Sequence, residues 1–146
     1  MAEIRIMLVD DFSQWRATAR SILERIDGCR VVGEAKDAME AIEKVSLLLP
    51  DIVLLDIGMP MLSGIEAAPR IRRASPASNI IFLTQESNSD IRVAALATGA
   101  RGYVLKSRVI TDLEPAIHAA LRMIPASCLT EGIGAESNQT SLSTIP

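Results

Sequence analysis

Short apolar runs alternate with longer amphipathic stretches along the first 125 residues of the chain. The runs at 4–9, 52–55, 80–83 and 103–105 have the length and composition of buried strands. Each is followed by a polar residue: Asp10 and Asp11, then Asp56, Thr84 and Lys106. A further strand is predicted at 30–35, and strand three is extended to 51–55. Strand three is continuously apolar, which suits a strand covered on both faces.

The intervening stretches carry helical periodicity. Helix one is predicted over 13–26, with Trp15, Ala19, Ile22, Leu23 and Ile26 on one face and Asp27-Gly28 ending it. Helix two, 37–48, has a stripe of Ala38, Ala41, Ile42, Val45 and Leu48, and Pro50 stops it. Ser63 and Glu66 have capping-box spacing at the start of helix three. Pro69 falls inside that helix, where it removes a hydrogen bond and is expected to kink or shorten it. Helix four, 88–98, is weakly amphipathic through Ile91, Ala94, Ala95 and Thr98, and Gly99 caps it. Helix five is predicted over 112–123, capped by Thr111 or Asp112, with Pro115 in its first turn. Its inner stripe is Leu113, Ile117, Ala120, Leu121 and Ile124.

Five such βα units predict an α/β fold with a doubly wound five-stranded parallel sheet and helices on both faces. In the flavodoxin-like strand order 2-1-3-4-5, strands one and three adjoin at a switch point, where ligands bind beyond the carboxyl ends of the strands. Asp10, Asp11 and Asp56 lie there, with Thr84 and Lys106 at the next two strand ends. Residues 1–125 are therefore expected to form one domain. Residues 126–146, rich in Ser, Thr and Gly, are expected to form a flexible tail or a truncated interdomain linker.

Composition narrows the class. The net charge of −3 argues against a broad nucleic-acid surface, and Arg70, Arg72 and Arg73 read as a solvated helix face. Cys29 and Cys128 lack metal-ligand spacing and read as reduced structural thiols. No apolar stretch reaches the roughly 18 residues of a membrane span. A strand opening within a few residues of Met1 leaves no room for a signal peptide, so a cytoplasmic location is expected. The sole histidine, His118, is expected on the exposed side of helix five.

Three clustered carboxylates repel one another and need a counter-charge. Hard oxygen ligands at a partly open site suit Mg²⁺, or Mn²⁺ in its place. Lys106 offers a compact positive charge and Thr84 a hydroxyl to phosphoryl oxygens. Such a set supports phosphoryl transfer by positioning and charge neutralisation, with Asp56, at the centre, as the nucleophile. Each residue alone has a plainer use: Asp10 and Asp11 as a strand-end turn, Thr84 as a turn hydroxyl, Lys106 as a loop lysine. Four strand ends agreeing at one sheet edge favour the site.

Val9-Asp10-Asp11, Leu55-Asp56-Ile57 with Met59-Pro60, Leu83-Thr84, Gly99-Ala100 and Gly102-Tyr103-Val104-Leu105-Lys106 occur in that order. Over about residues 3–124 the chain resembles the receiver domain of two-component response regulators. With Arg16 after the acidic pair, it looks most like the NarL-type branch. The resemblance implies that Asp56 accepts phosphate from a sensor histidine kinase in signal transduction. Asp11 would bind Mg²⁺ directly, Asp10 through water or by positioning, and the Gly58 carbonyl would complete the protein ligands. Thr84 and Tyr103 would form a switch pair, and Lys106 would meet the phosphoryl oxygens. Gly58 and Glu86 would modulate hydrolysis, giving the phosphoryl group an intermediate lifetime. The implied output surface is helix four, strand five and helix five. A homodimer is possible through that surface or through helices one and five. Nucleic acid and membrane are not expected partners of this chain itself.

Ser107 stands where this family often has a cis proline, so a trans bond is expected after Lys106; a cis bond without proline costs roughly 3 kcal/mol. The helix-turn-helix DNA-binding domain usual in the NarL-type branch is missing here, so the alternative is the receiver portion of a transcriptional regulator. Mg²⁺-dependent phosphohydrolases with an Asp nucleophile tend to carry a second Asp two residues later. Gly58 holds that position, which disfavours a turnover enzyme.

Overall fold

Each predicted apolar run becomes a strand, and the strands form a single parallel sheet. The computed structural model describes residues 3–122. Its strands are β1 (Ile4–Val9), β2 (Cys29–Ala35), β3 (Ile52–Leu55), β4 (Asn79–Thr84) and β5 (Gly102–Leu105). The spatial order is β2-β1-β3-β4-β5, as expected. The predicted tail at 126–146, Cys128 and Ile124 lie outside the described residues.

The helices are α1 (Ser13–Leu23), α2 (Ala38–Leu48), α3 (Gly64–Ala74), α4 (Ser89–Leu96) and α5 (Val109–Arg122). Strand side chains alternate between two cores. Ile6, Leu8, Leu54, Leu83 and Val104 pack with Ala19 and Leu23 of α1 and with Leu113, Ile117 and Ala120 of α5. Met7, Val9, Val53, Leu55 and Phe82 pack with α2, α3 and Ala95 of α4. All four residues of β3 are buried, so this strand is covered on both faces. Parallel pairing of β1 with β3 sets Val9 beside Leu55, which fixes Asp10 and Asp56 as neighbours one residue further on.

Local signals account for most helix starts. Asp37 caps α2 by accepting from the Glu40 amide, and Asn88 caps α4 by accepting from the Asp90 and Ile91 amides. The Ser63–Glu66 capping box is present in both directions. In α1, by contrast, Phe12 stands at the cap with no side-chain bond.

Several elements differ from the sequence expectation. Helix one ends at Leu23, not 26, and a turn carries Ile26 into the core. Helix four is shorter than 88–98, and its Ala94 is exposed; Ala95 is its buried residue. Helix five begins at Val109, because a 3-10 turn over Lys106–Arg108 leads straight out of β5 and drops Val109 into the core. Asp112 is thus inside the first turn, paired with Arg108 at 3.0 Å, instead of capping the helix. Pro115 is the seventh helical residue, beyond the first turn. It is exposed, as is Thr111, whose carbonyl it leaves without a helical donor, so water can serve that oxygen. Leu121 is exposed and not part of the inner stripe. Pro69 is exposed too, and α3 runs past it to Ala74.

Arg72 also departs from the solvated face expected of it. It is half-buried, and its Nη1 donates to the Thr98 carbonyl at 2.8 Å, tying α3 to the end of α4. Arg70 and Arg73 are exposed.

Candidate functional site

The parallel register delivers the four strand-end residues to one open cavity of about 390 Å³. It is lined by Asp10, Asp11, Phe12, Asp56, Gly58, Thr84, Gln85, Glu86 and Lys106. Asp10, Asp56 and Thr84 are buried, whereas Asp11 is exposed at the rim.

Asp10 is held on both oxygens. Its Oδ1 accepts from the Phe12 amide at 2.8 Å, and its Oδ2 accepts from Lys106 Nζ at 2.6 Å. The same ammonium is 3.8 Å from Asp56 Oδ2. It also lies 5.0 Å from the centre of the Trp15 ring, within cation–π range. Burial pushes the Asp56 carboxyl above the ordinary carboxylate range, and the Asp10 charge adds to the push. The Lys106 charge, the Thr84 hydroxyl and the Ile57 amide oppose it without reversing it. A buried carboxylate with an unmet need for positive charge is the electrostatic state a bound cation relieves.

The donor set fits a hard divalent cation. Carboxylate oxygens of Asp10, Asp11 and Asp56 all lie within 4.8 Å of one another, with no sulfur or imidazole ligand among them. Gly58 is exposed at the cavity edge, with nothing within 4 Å of where a Cβ would be.

On the β4–β5 side, the Thr84 hydroxyl accepts from the Glu86 amide at 3.2 Å. The Tyr103 hydroxyl donates to the Glu86 carbonyl at 2.6 Å. Tyr103 is half-buried, packs on Phe82 with ring centres 6.3 Å apart, and lies under the Arg92 guanidinium at 5.2 Å. Burial raises its phenol, Glu86 and Asp56 add to the effect, and Arg92 opposes it. Thr84 and Tyr103 are therefore linked through one residue, Glu86. No peptide bond among the described residues is cis, so Lys106–Ser107 is trans. His118, half-buried on α5, faces Glu114 at 3.6 Å and lies outside the cavity lining.

Sequence reasoning missed the parts played by Arg16, Glu34, Phe12 and Gln85. Arg16 Nη1 donates to the Asp10 carbonyl at 2.6 Å, while its Nε donates to Glu34 Oε1 at 2.9 Å. Glu34, on β2, also receives Arg20. Burial alone would raise the Glu34 carboxyl, but hydrogen bonds and charge from Arg20 and Arg16 hold it below its usual range. Phe12 and Gln85 line the cavity without any polar-pattern signal to announce them. Trp15 had a signal: it lies one helical turn past Asp11.

A parallel α/β sheet with an acidic pair, a buried aspartate, a hydroxyl and a lysine at its carboxyl edge defines a receiver-type signalling domain. Comparison with known proteins agrees: the profile of the response regulator receiver domain matches residues 6–118. The chain belongs to that family, a signalling domain of two-component systems and not a classical enzyme. It is 33% identical over 132 residues to the nitrate/nitrite response regulator protein NarL of Escherichia coli K12. That match covers 89% of this chain but 61% of the relative, so the chain spans under two thirds of that protein's length. Among solved structures, a LuxR-family two-component response regulator from Aurantimonas sp. SI85-9A1 superposes with a TM-score of 0.78 at 38% identity. It covers 89% of this chain and 95% of that one. The response regulator domain of Thermotoga maritima CheB gives 0.78 at 32% identity, covering 84% and 99%. The NarL-type resemblance and the flavodoxin-like fold are thereby established. Among the described residues no helix is long and apolar enough to cross a membrane.

Proposed function

We propose that Asp56 accepts a phosphoryl group from a phosphohistidine of a sensor histidine kinase. The observation that carries this reading is the Asp56 carboxylate itself: buried, flanked by Asp10 and Asp11, and within 3.8 Å of the Lys106 ammonium in an open cavity. An Asp56 oxygen attacks phosphorus as the phosphorus–nitrogen bond breaks, and the electron pair leaves with the imidazole. Asp11, Asp10, Asp56 and the Gly58 carbonyl would hold Mg²⁺ or Mn²⁺. A bound cation there neutralises charge on the phosphoryl oxygens. Lys106 leaves Asp10 for a phosphoryl oxygen, and the Thr84 hydroxyl donates to another. Because Thr84 and Tyr103 share Glu86, a shift of Thr84 is felt by the tyrosine and by the α4–β5–α5 face that carries it.

Gly58 supplies no acid or base beside the acyl phosphate, so hydrolysis depends on water passing Glu86 and the phosphoryl group has an intermediate lifetime. Residues 1–125 act as the phosphoacceptor domain and 126–146 as a tail or linker. Given the share of NarL that the chain covers, a second reading is the receiver portion of a transcriptional regulator that dimerises on phosphorylation.

The test is a titration with acetyl phosphate or beryllofluoride and Mg²⁺, followed by intact mass and Trp15 fluorescence. A Mg²⁺-dependent response lost in Asp56→Asn is expected; a response that survives the substitution overturns the assignment. A radiolabel chase with a half-life of seconds, or of days, contradicts the lifetime. Sizing the same samples shows whether phosphorylation drives dimerisation.

A further inference from the structure

Trp15 has no part in the chemistry above, yet its ring centre lies 5.0 Å from the Lys106 ammonium. The same ammonium meets Asp10 Oδ2 at 2.6 Å and Asp56 Oδ2 at 3.8 Å. The lysine side chain is only 10% exposed, so little water remains to solvate the charge. The indole is half-buried and packs against the core shared by α1 and α5. Its neighbour Arg16 bonds the Asp10 carbonyl and Glu34, which pins the first turn of α1 to the ends of β1 and β2. The ring is therefore a fixed surface, not a passing contact.

We propose that Trp15 is a positioning residue for Lys106, a neutral anchor that keeps the ammonium beside Asp56 while its anionic partner changes. The proposal rests on phosphorylation of Asp56. In the resting site the ammonium is bonded to Asp10, an oxygen donor that the cation also needs. When the phosphoryl group arrives, the ammonium must give up Asp10 without swinging into solvent. A carboxylate in place of Trp15 would compete with the phosphoryl oxygens for the lysine. An aliphatic side chain would fill the space but exert no pull on a charge. An aromatic face attracts the ammonium and carries no net charge, so it holds Lys106 without competing for it.

The test compares wild type, Trp15→Leu and Trp15→Phe. Intact-mass time courses are run over a range of acetyl phosphate concentrations at saturating Mg²⁺. Trp15→Leu is expected to slow phosphorylation about three- to tenfold, and Trp15→Phe to recover most of the loss. The Lys106 Hε resonances, recorded without phosphodonor, are expected upfield in wild type and Trp15→Phe and at ordinary positions in Trp15→Leu. Wild type that takes up no phosphate overturns the phosphoacceptor reading itself. Wild type that is phosphorylated while Trp15→Leu matches its rate, or shares its Hε shifts, overturns the Trp15 proposal alone. If Trp15→Leu does not fold, Lys106→Met decides: Trp15 emission must change on loss of the ammonium, and unchanged emission overturns the proposal.

Discussion

Gly64 opens α3 directly behind the end of β3, and replacing it with alanine should displace Asp56. A Cβ at this position would lie 2.0 Å from the Asp56 carbonyl oxygen and 2.9 Å from both the Asp56 carbonyl carbon and the Ile57 Cα. Real Cβ contacts start near 3.0 Å, so the nearest atom must move by about 3.0 − 2.0 = 1 Å. All three atoms are backbone, and the Gly64 amide is also bonded to the Ile57 carbonyl at 2.9 Å, so no side chain can turn aside. Overpacking of this kind costs about 1–3 kcal/mol, with the upper end expected where backbone must yield. An acceptor misplaced by about 1 Å loses on the order of 10²-fold in rate. Gly102→Ala is the control, since a Cβ there would meet nothing closer than the Ile81 side chain at 3.4 Å and the residue lies outside the cavity lining. Urea denaturation and the intact-mass rate with acetyl phosphate measure the two effects. Gly64→Ala within about 0.5 kcal/mol of wild type and phosphorylated at the wild-type rate would refute the reasoning.

Other consequences are equally open to measurement. Asp56→Asn should raise the unfolding midpoint of the Mg²⁺-free protein at pH 7. Folding raises this acid's pKa, so its charge opposes the fold at neutral pH and the advantage of Asn should vanish on acidification; an advantage that grows towards acid contradicts the sign. Glu34→Gln should lower stability by about 1–2 kcal/mol at pH 7. The Glu34 carboxyl is held below its ordinary 4.5, so this deficit should be full above that value and fade as pH falls through the folded-state pKa, as pH-dependent urea midpoints would show. Arg72→Ala should cost about 1 kcal/mol and speed amide exchange at the end of α4, while leaving Mg²⁺ affinity unchanged.

Much of this molecule is legible in one dimension because a parallel sheet converts sequence order into spatial order. Each apolar run ends at the same edge, so the residue after Val9, Leu55, Leu83 or Leu105 needs no long-range information to be located. Caps such as Asp37 and the Ser63–Glu66 pair are read locally for the same reason. What escaped were contacts set by side-chain reach across elements. Arg72 looked like one of three surface arginines until the register of α3 against α4 put it on the Thr98 carbonyl. The capping residues Thr111 and Asp112 suggest a later start for α5 than the structure has, because burial of Val109 sets the boundary. The Arg16–Glu34 bond spans 18 residues and depends on how α1 packs beside β2, which no spacing rule supplies.

The way α4 is fastened has a mechanical meaning. Ala95 is its one buried residue, Asn88 closes its first turn, and Arg72 grips the chain just past its last. Eight residues make a rod of about 12 Å. With its far end clamped and its near end beside Glu86, such a rod moves as a lever and not as a sliding bar. A tilt of about 10° carries the near end through about 2 Å and leaves the Arg72 end almost still. The exposed Val93 and Leu96 sit at different radii on that lever, so they would sweep unequal arcs, and a surface reading this helix would sense an angle.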